Sequence, residues 1–97
     1  MYTAKCFPRL DKESIAAEIR KEGFDPILIQ DPPGHVYSAH RHPETKLLAF
    51  LLGSMTVKVG DNTFSCSPGD KVVIPGNIEH EATAGPEGCV FFWSEKL

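Results

Sequence analysis

Turn residues cut the chain from Phe24 onward into short runs, and this punctuation limits the possible folds more than any other feature. The breaks are Asp31-Pro-Pro-Gly34, Gly53-Ser54, Gly60-Asp-Asn62, Ser67-Pro-Gly-Asp70, Pro75-Gly-Asn77 and Ala84-Gly-Pro-Glu-Gly88. The runs between them are rich in β-branched and aromatic residues. That pattern predicts strands near 26–30, 35–42, 46–52, 55–59, 63–66, 71–74, 79–84 and 88–94. In 55–59, Met55, Val57 and Val59 alternate with Thr56 and Lys58, the period-2 signature of a half-buried antiparallel strand. Many short strands separated by turns point to an all-β sandwich or barrel. The chain has 97 residues, enough for one such domain.

Before Phe24 the period changes. Ile15, Ala16 and Ile19 form an apolar stripe at helical spacing. Asp11 and Ser14 are both candidate N-caps, Lys21 suits the negative end of the helix dipole, and Gly23 suits the stop. The stripe is narrow, so the helix has to lean on the β domain. The expected division is an arm and helix over 1–24 and a barrel over 25–97.

Composition excludes several classes of function. Hydrophobic residues make up 41% and charged residues 24%, an ordinary globular balance. The net charge of −3 argues against a broad basic face, so no nucleic-acid partner is expected. The longest apolar run, Leu47 to Leu52, is far short of the roughly 18 residues of a membrane span, so no membrane partner is expected. The opening MYTAKCFPRLDKE has no apolar run of the leader type. Cys6, Cys66 and Cys89 are odd in number and show no metal-binding spacing, which reads as three reduced thiols in a cytoplasmic protein. So small a core gains buried surface by pairing, and a homodimer is expected.

The chemistry-bearing residues are histidines. His40 and His42 are two apart on a predicted strand, so their imidazoles project to one face. His80 follows the Pro75-Gly-Asn77 turn, and a closed sheet brings it to the other two. Three neutral imidazoles suit a divalent transition metal (Zn, Fe, Mn, Ni or Cu), with remaining positions left for water or a small-molecule ligand.

The spacing of glycine, proline and histidine adds a resemblance. The stretch GHVYSAHRHPETKLLAFLLG, from Gly34 to Gly53, resembles the first motif of the cupin superfamily, G(x)5HxH(x)3–4E(x)6G. GDKVVIPGNIEH, from Gly69 to His80, resembles the second, G(x)5PxG(x)2H(x)3N. The resemblance spans about residues 27–94. It implies a jelly-roll barrel, also called a double-stranded β-helix, here with a short N-terminal helix. It also implies a metal held inside the barrel by two histidines and a glutamate of the first motif and a histidine of the second. His40, His42 and His80 match. The glutamate slot holds Lys46, or Leu47 at the longer spacing. Asn77 stands in a glycine slot, where its tolerance of the left-handed conformation suits it, and Ala84 stands in the final asparagine slot.

Lys46 departs furthest from the pattern. It shares strand parity with the histidines, and two like unit charges ~4 Å apart repel by roughly 4 kcal/mol at an effective dielectric of about 20. Three arrangements are open. Lys46 is neutral, or its stem carries the amine to the barrel mouth, or the site holds no metal and Lys46 receives an anion or pairs with Glu44. Continued parity puts Leu48, Phe50 and Leu52 on the pocket wall, and Tyr37 and Arg41 on the opposite face toward a partner subunit. Glu79 and Glu81 should face outward, and His35 reads as a surface or interface histidine. On the last strand two registers are open: Val90 and Phe92 inward, or Cys89, Phe91 and Trp93. The function expected is small-molecule chemistry of oxygenase, isomerase or lyase type at a three-histidine metal. The alternative is a non-catalytic metabolite- or anion-binding barrel whose metal site has degenerated.

Overall fold

The structure is a computed structural model that describes residues 1–96. A short strand β1 (Tyr2–Thr3) leads to helix α1 (Lys12–Lys21). Asp11 is the N-cap, because its carboxylate accepts the Ser14 amide at 2.9 Å and the Ser14 hydroxyl at 3.0 Å. Arg20 and Lys21 occupy the last turn, and Gly23 takes φ +89° just beyond it. Ile15, Ala16 and Ile19 are buried, as the narrow stripe requires.

Six further strands follow: β2 (Phe24–Asp31), β3 (Val36–His40), β4 (Lys46–Val59), β5 (Asn62–Cys66), β6 (Lys71–Ile74) and β7 (His80–Lys96). All their pairings are antiparallel, and the strands wind into a jelly-roll barrel. At its centre is a long β4–β7 ribbon. One half of the ribbon carries β6 on β4 and β2 on β7, while the other half carries β5 on β4 and β3 on β7. One two-stranded ribbon, its strands separated in sequence by β5 and β6, thereby serves both walls of the barrel.

Gly53-Ser54 and Ala84–Gly88 bend the ribbon, whereas the sequence pattern predicted turns that end strands there. The chains cross so closely at this bend that a Cβ on Gly53, at φ +74°, would lie 2.1 Å from the Gly88 carbonyl oxygen. The register also slips between Phe50 and Leu52 and again between Gly53 and Met55. Such bulges turn a strand without ending it.

Two apolar clusters fill the molecule. Leu48, Phe50, Met55, Val57, Val72, Ile74 and Phe91 fill the barrel interior. Phe7, Ile15, Ile19, Phe24, Leu47, Ala49, Leu51 and Phe92 lie between α1 and the outer side of one wall. This second layer explains why residues 46–51 are buried without alternation: here the strand is covered on both faces.

Candidate metal centre

β3 and β7 meet at the register pair His40↔His80, and His42 follows β3 in the loop to β4. The ring centroids lie 4.3 Å apart for His40–His80, 4.6 Å for His42–His80 and 5.4 Å for His40–His42. One ring nitrogen from each lies within 4.8 Å of those of the other two. Backbone connections hold the group. The Asn77 amide donates to the His42 carbonyl at 2.7 Å, and Asn77 adopts φ 64°, the left-handed conformation its glycine slot demands.

The hydrogen bonds fix the tautomers. His40 Nδ1 lies 2.7 Å from the Ser38 carbonyl, His80 Nδ1 3.0 Å from the Ile78 carbonyl and His42 Nδ1 3.2 Å from the Glu44 carbonyl. A carbonyl can only accept, so each Nδ1 carries a proton, and in the neutral ring each Nε2 presents a lone pair. The Nε2 atoms of His42 and His80 are buried and have no partner among the described residues. Burial pushes the His80 imidazole below its ordinary pKa. The Ile78 carbonyl opposes this, and neighbouring His40, His42 and Lys46 add to it. A neutral imidazole with a free, buried Nε2 is the form a metal requires.

Lys46 is buried, with only 3% of its surface exposed. Its ammonium pairs with the Glu95 carboxylate and lies 5.4 Å from the centroid of the Trp93 ring, which meets His42 edge-on at 6.1 Å. The stem therefore carries the amine to Glu95 and not to Glu44. Glu95 is a carboxylate that sequence reasoning missed. It lies one residue beyond the predicted end of the last strand, and parity with Trp93 would have located it. The pairing with Lys46, by hydrogen bond and charge, holds the Glu95 carboxyl below its usual range. The Glu44 carboxylate lies 4.0 Å from His42 Nδ1, on the side away from the free Nε2.

A cavity of about 240 Å³ adjoins the histidines, lined by His40 and His80 and by apolar side chains including Ile29, Leu48, Met55, Ile74, Phe91 and Trp93. Of the three expected wall residues, Leu48 lines it. Phe50 lies deeper, fully buried and stacked on Phe91 at 5.9 Å. Leu52 is 64% exposed on an outer groove with Leu10, Leu28 and Leu51. The register slip after Phe50 inserts Leu51 and breaks the parity that would have turned Leu52 inward.

A second slip, between Tyr37 and His40, corrects the expectation for Tyr37. Tyr37 lines the cavity, and its hydroxyl donates to the buried Asp31 carboxylate, 2.8 and 3.0 Å from its two oxygens. Burial and this bond raise the Tyr37 pKa. His35 is exposed and meets the Tyr37 ring edge-on at 4.8 Å. The last strand takes the register with Cys89, Phe91 and Trp93 toward the interior. Burial pushes the Cys66 and Cys89 thiols up to about 12, so neither is a thiolate near neutral pH.

A jelly-roll barrel with three imidazoles converging at one end defines a cupin. Within that class the chain belongs to the AraC-like ligand-binding domain family, whose model matches residues 27–95. Over 59 residues it is 37% identical to the dimethylsulfoniopropionate lyase DddW of Ruegeria pomeroyi, covering 61% of this chain and 39% of that protein. The chain thus matches well under half the length of this relative. Similar solved structures include an RmlC-like cupin from Shewanella frigidimarina (TM-score 0.70, 19% identity, 76% of this chain and 66% of that one). KdgF from Halomonas sp. is also similar (TM-score 0.67, 22% identity, 77% and 70%). So is a variant of oxalate decarboxylase from Bacillus subtilis (TM-score 0.70, 22% identity, 76% and 21%), an enzyme with Mn(II) centres. At these identities the structural likenesses speak to the fold.

Proposed function

We propose that this cupin holds a divalent transition metal at His40, His42 and His80 and presents it to a small molecule in the adjoining cavity. The observation that carries this reading is the shared tautomer: three Nδ1 atoms tied to backbone carbonyls, with Nε2 of His42 and His80 buried and unpaired. A buried polar atom without a partner costs about 1–3 kcal/mol, and a shared ion removes that cost for both. The donor set of three imidazole nitrogens fits Zn, Fe, Mn, Ni or Cu. Bound there, the ion supplies Lewis acidity toward an oxygen of the small molecule. The chain's own side chains orient the imidazoles, exclude water through the apolar wall and hold Lys46 away on Glu95.

Lyase, isomerase or oxygenase chemistry is the catalytic form of this reading, and the similarity to a cupin lyase supports it. A binding-only role is the second reading. It is favoured because the Tyr37 hydroxyl is tied to Asp31 and the Lys46 amine to Glu95, leaving neither free for proton transfer.

The test is elemental analysis of protein purified without chelator, with His42→Ala as control. We expect near-stoichiometric metal in the parent and none in the variant. At metal near one hundred times Kd, binding adds about 2.7 kcal/mol, so the parent melts roughly 10–20 °C higher with zinc and the variant does not respond. A metal-free parent after reconstitution would overturn the reading.

A further inference from the structure

We propose that the small molecule is a monoanion with a compact apolar body, in its simplest form a short-chain carboxylate, and that dianions are excluded. The inference rests on the three-histidine reading above.

Charge makes the first argument. Three neutral imidazoles bring no negative charge to a divalent ion, and of the nearby carboxylates Glu95 and Glu44 are turned elsewhere. Glu95 is paired with Lys46 and Glu44 lies on the Nδ1 side of His42, while Glu81, expected to face outward, lines the cavity but is half-exposed and lies 4.0 Å from Lys58. Neither Lys46 nor Glu95 lines the cavity. Against a divalent ion the one cavity carboxylate, Glu81, offsets a single charge at most, so positive charge remains on the side facing apolar walls, where a low local dielectric strengthens its attraction for a singly charged anionic head.

The walls make the second. Ile29, Leu48, Met55, Val57, Ile74 and Phe91 enclose a volume of about 240 Å³, below the roughly 300 Å³ at which sites for drug-sized ligands begin. The part of the ligand away from the head must be small and apolar. Tyr37 makes the third. Its side chain lines the cavity, and its one hydroxyl proton is donated to Asp31. A second carboxylate on the ligand would find no free donor there and would approach the charge on Asp31.

The experiment uses the full chain loaded with Co(II), whose visible absorption reports on its ligands. Acetate, butyrate, hexanoate, succinate, adipate and 1-butanol are titrated in turn. Butyrate should shift the band, and affinity should rise about threefold to fourfold per methylene until the cavity is full. 1-Butanol should leave the band unchanged. Each dicarboxylate should bind at least tenfold more weakly than the monocarboxylate of equal carbon number, and Asp31→Asn should narrow that gap. Affinity independent of chain length, or dicarboxylates bound as tightly as monocarboxylates, would overturn the inference. Cobalt that still binds the parent and not His42→Ala would then leave the three-histidine reading intact. A parent that takes up no cobalt would overturn both.

Discussion

Lys46 shows how one side chain can occupy a motif position without occupying the site. Its Cβ stands where the resembling motif has a carboxylate, yet four methylenes carry its charge past Trp93 to Glu95. Lysine commonly buries its stem and places its charge elsewhere in this way. The two partners differ in environment, and an asymmetry follows. Lys46→Met removes a buried charge, keeps the packing volume and leaves Glu95 half-exposed to water. Glu95→Gln strands a buried ammonium without a counter-charge. In urea unfolding the first variant should keep or raise the midpoint and the second should lower it. The opposite order would show that the pair holds the barrel mouth closed. Lys46→Glu puts a shorter carboxylate on the same inward-pointing Cβ, out of reach of Glu95, and is predicted to tighten metal binding, which a metal titration checks.

Two contacts between elements carry more than their size suggests. Gly53 and Gly34 both have positive φ, but only at Gly53 would a Cβ strike backbone, whereas Gly34 has open space around it. Gly34→Ala should cost about 1 kcal/mol through backbone strain. Gly53→Ala adds displacement of the crossing strand and should cost on the order of 3 kcal/mol or more, which chemical denaturation would resolve. Asp70 ties the N-terminal arm to the turn between β5 and β6. It accepts from the Lys5 and Ser67 amides and the Tyr2 hydroxyl, each at 2.9 Å, and from the Ser67 hydroxyl at 3.2 Å. Burial alone would raise this carboxyl, but the Lys5 and Ser67 amides and the two hydroxyls outweigh it and hold it below its usual value. As pH falls the unfolded chain takes up this proton first. The stabilisation is complete above about pH 3.9 and is lost as pH drops through the lower folded value. Asp70→Ala should cost about 2–3 kcal/mol at pH 7, and its acid-unfolding curve should lack that step.

At the scale of the whole molecule, the barrel has an open edge. β2 pairs only with β7 among the described residues, and Ile27 and Leu28 on it are exposed, as is Val36 on β3. A long apolar edge strand is a template for another chain, which keeps the expected homodimer a live prediction. Light scattering should give twice the chain mass at micromolar concentration, and Ile27→Lys should shift the population toward the monomer. No helix among the described residues is long and apolar enough to cross a membrane.

The sequence by itself determined the class of fold, the capped helix and the candidacy of His40, His42 and His80. Each of these rests on local chemistry: turn residues at fixed spacing, an Asp N-cap, and a period of two that holds between neighbours on an uninterrupted strand. Tertiary structure decided whatever depends on register beyond a bulge or on partners distant in sequence. Alternation holds from Lys46 to Phe50 and breaks at Leu52 and before His40, because one extra residue in a strand reverses every face after it. The direction of the Lys46 amine was equally undetermined, since a flexible stem takes its end point from whatever charge the fold supplies. That charge is Glu95, 49 residues away in sequence and adjacent only because β4 and β7 run side by side.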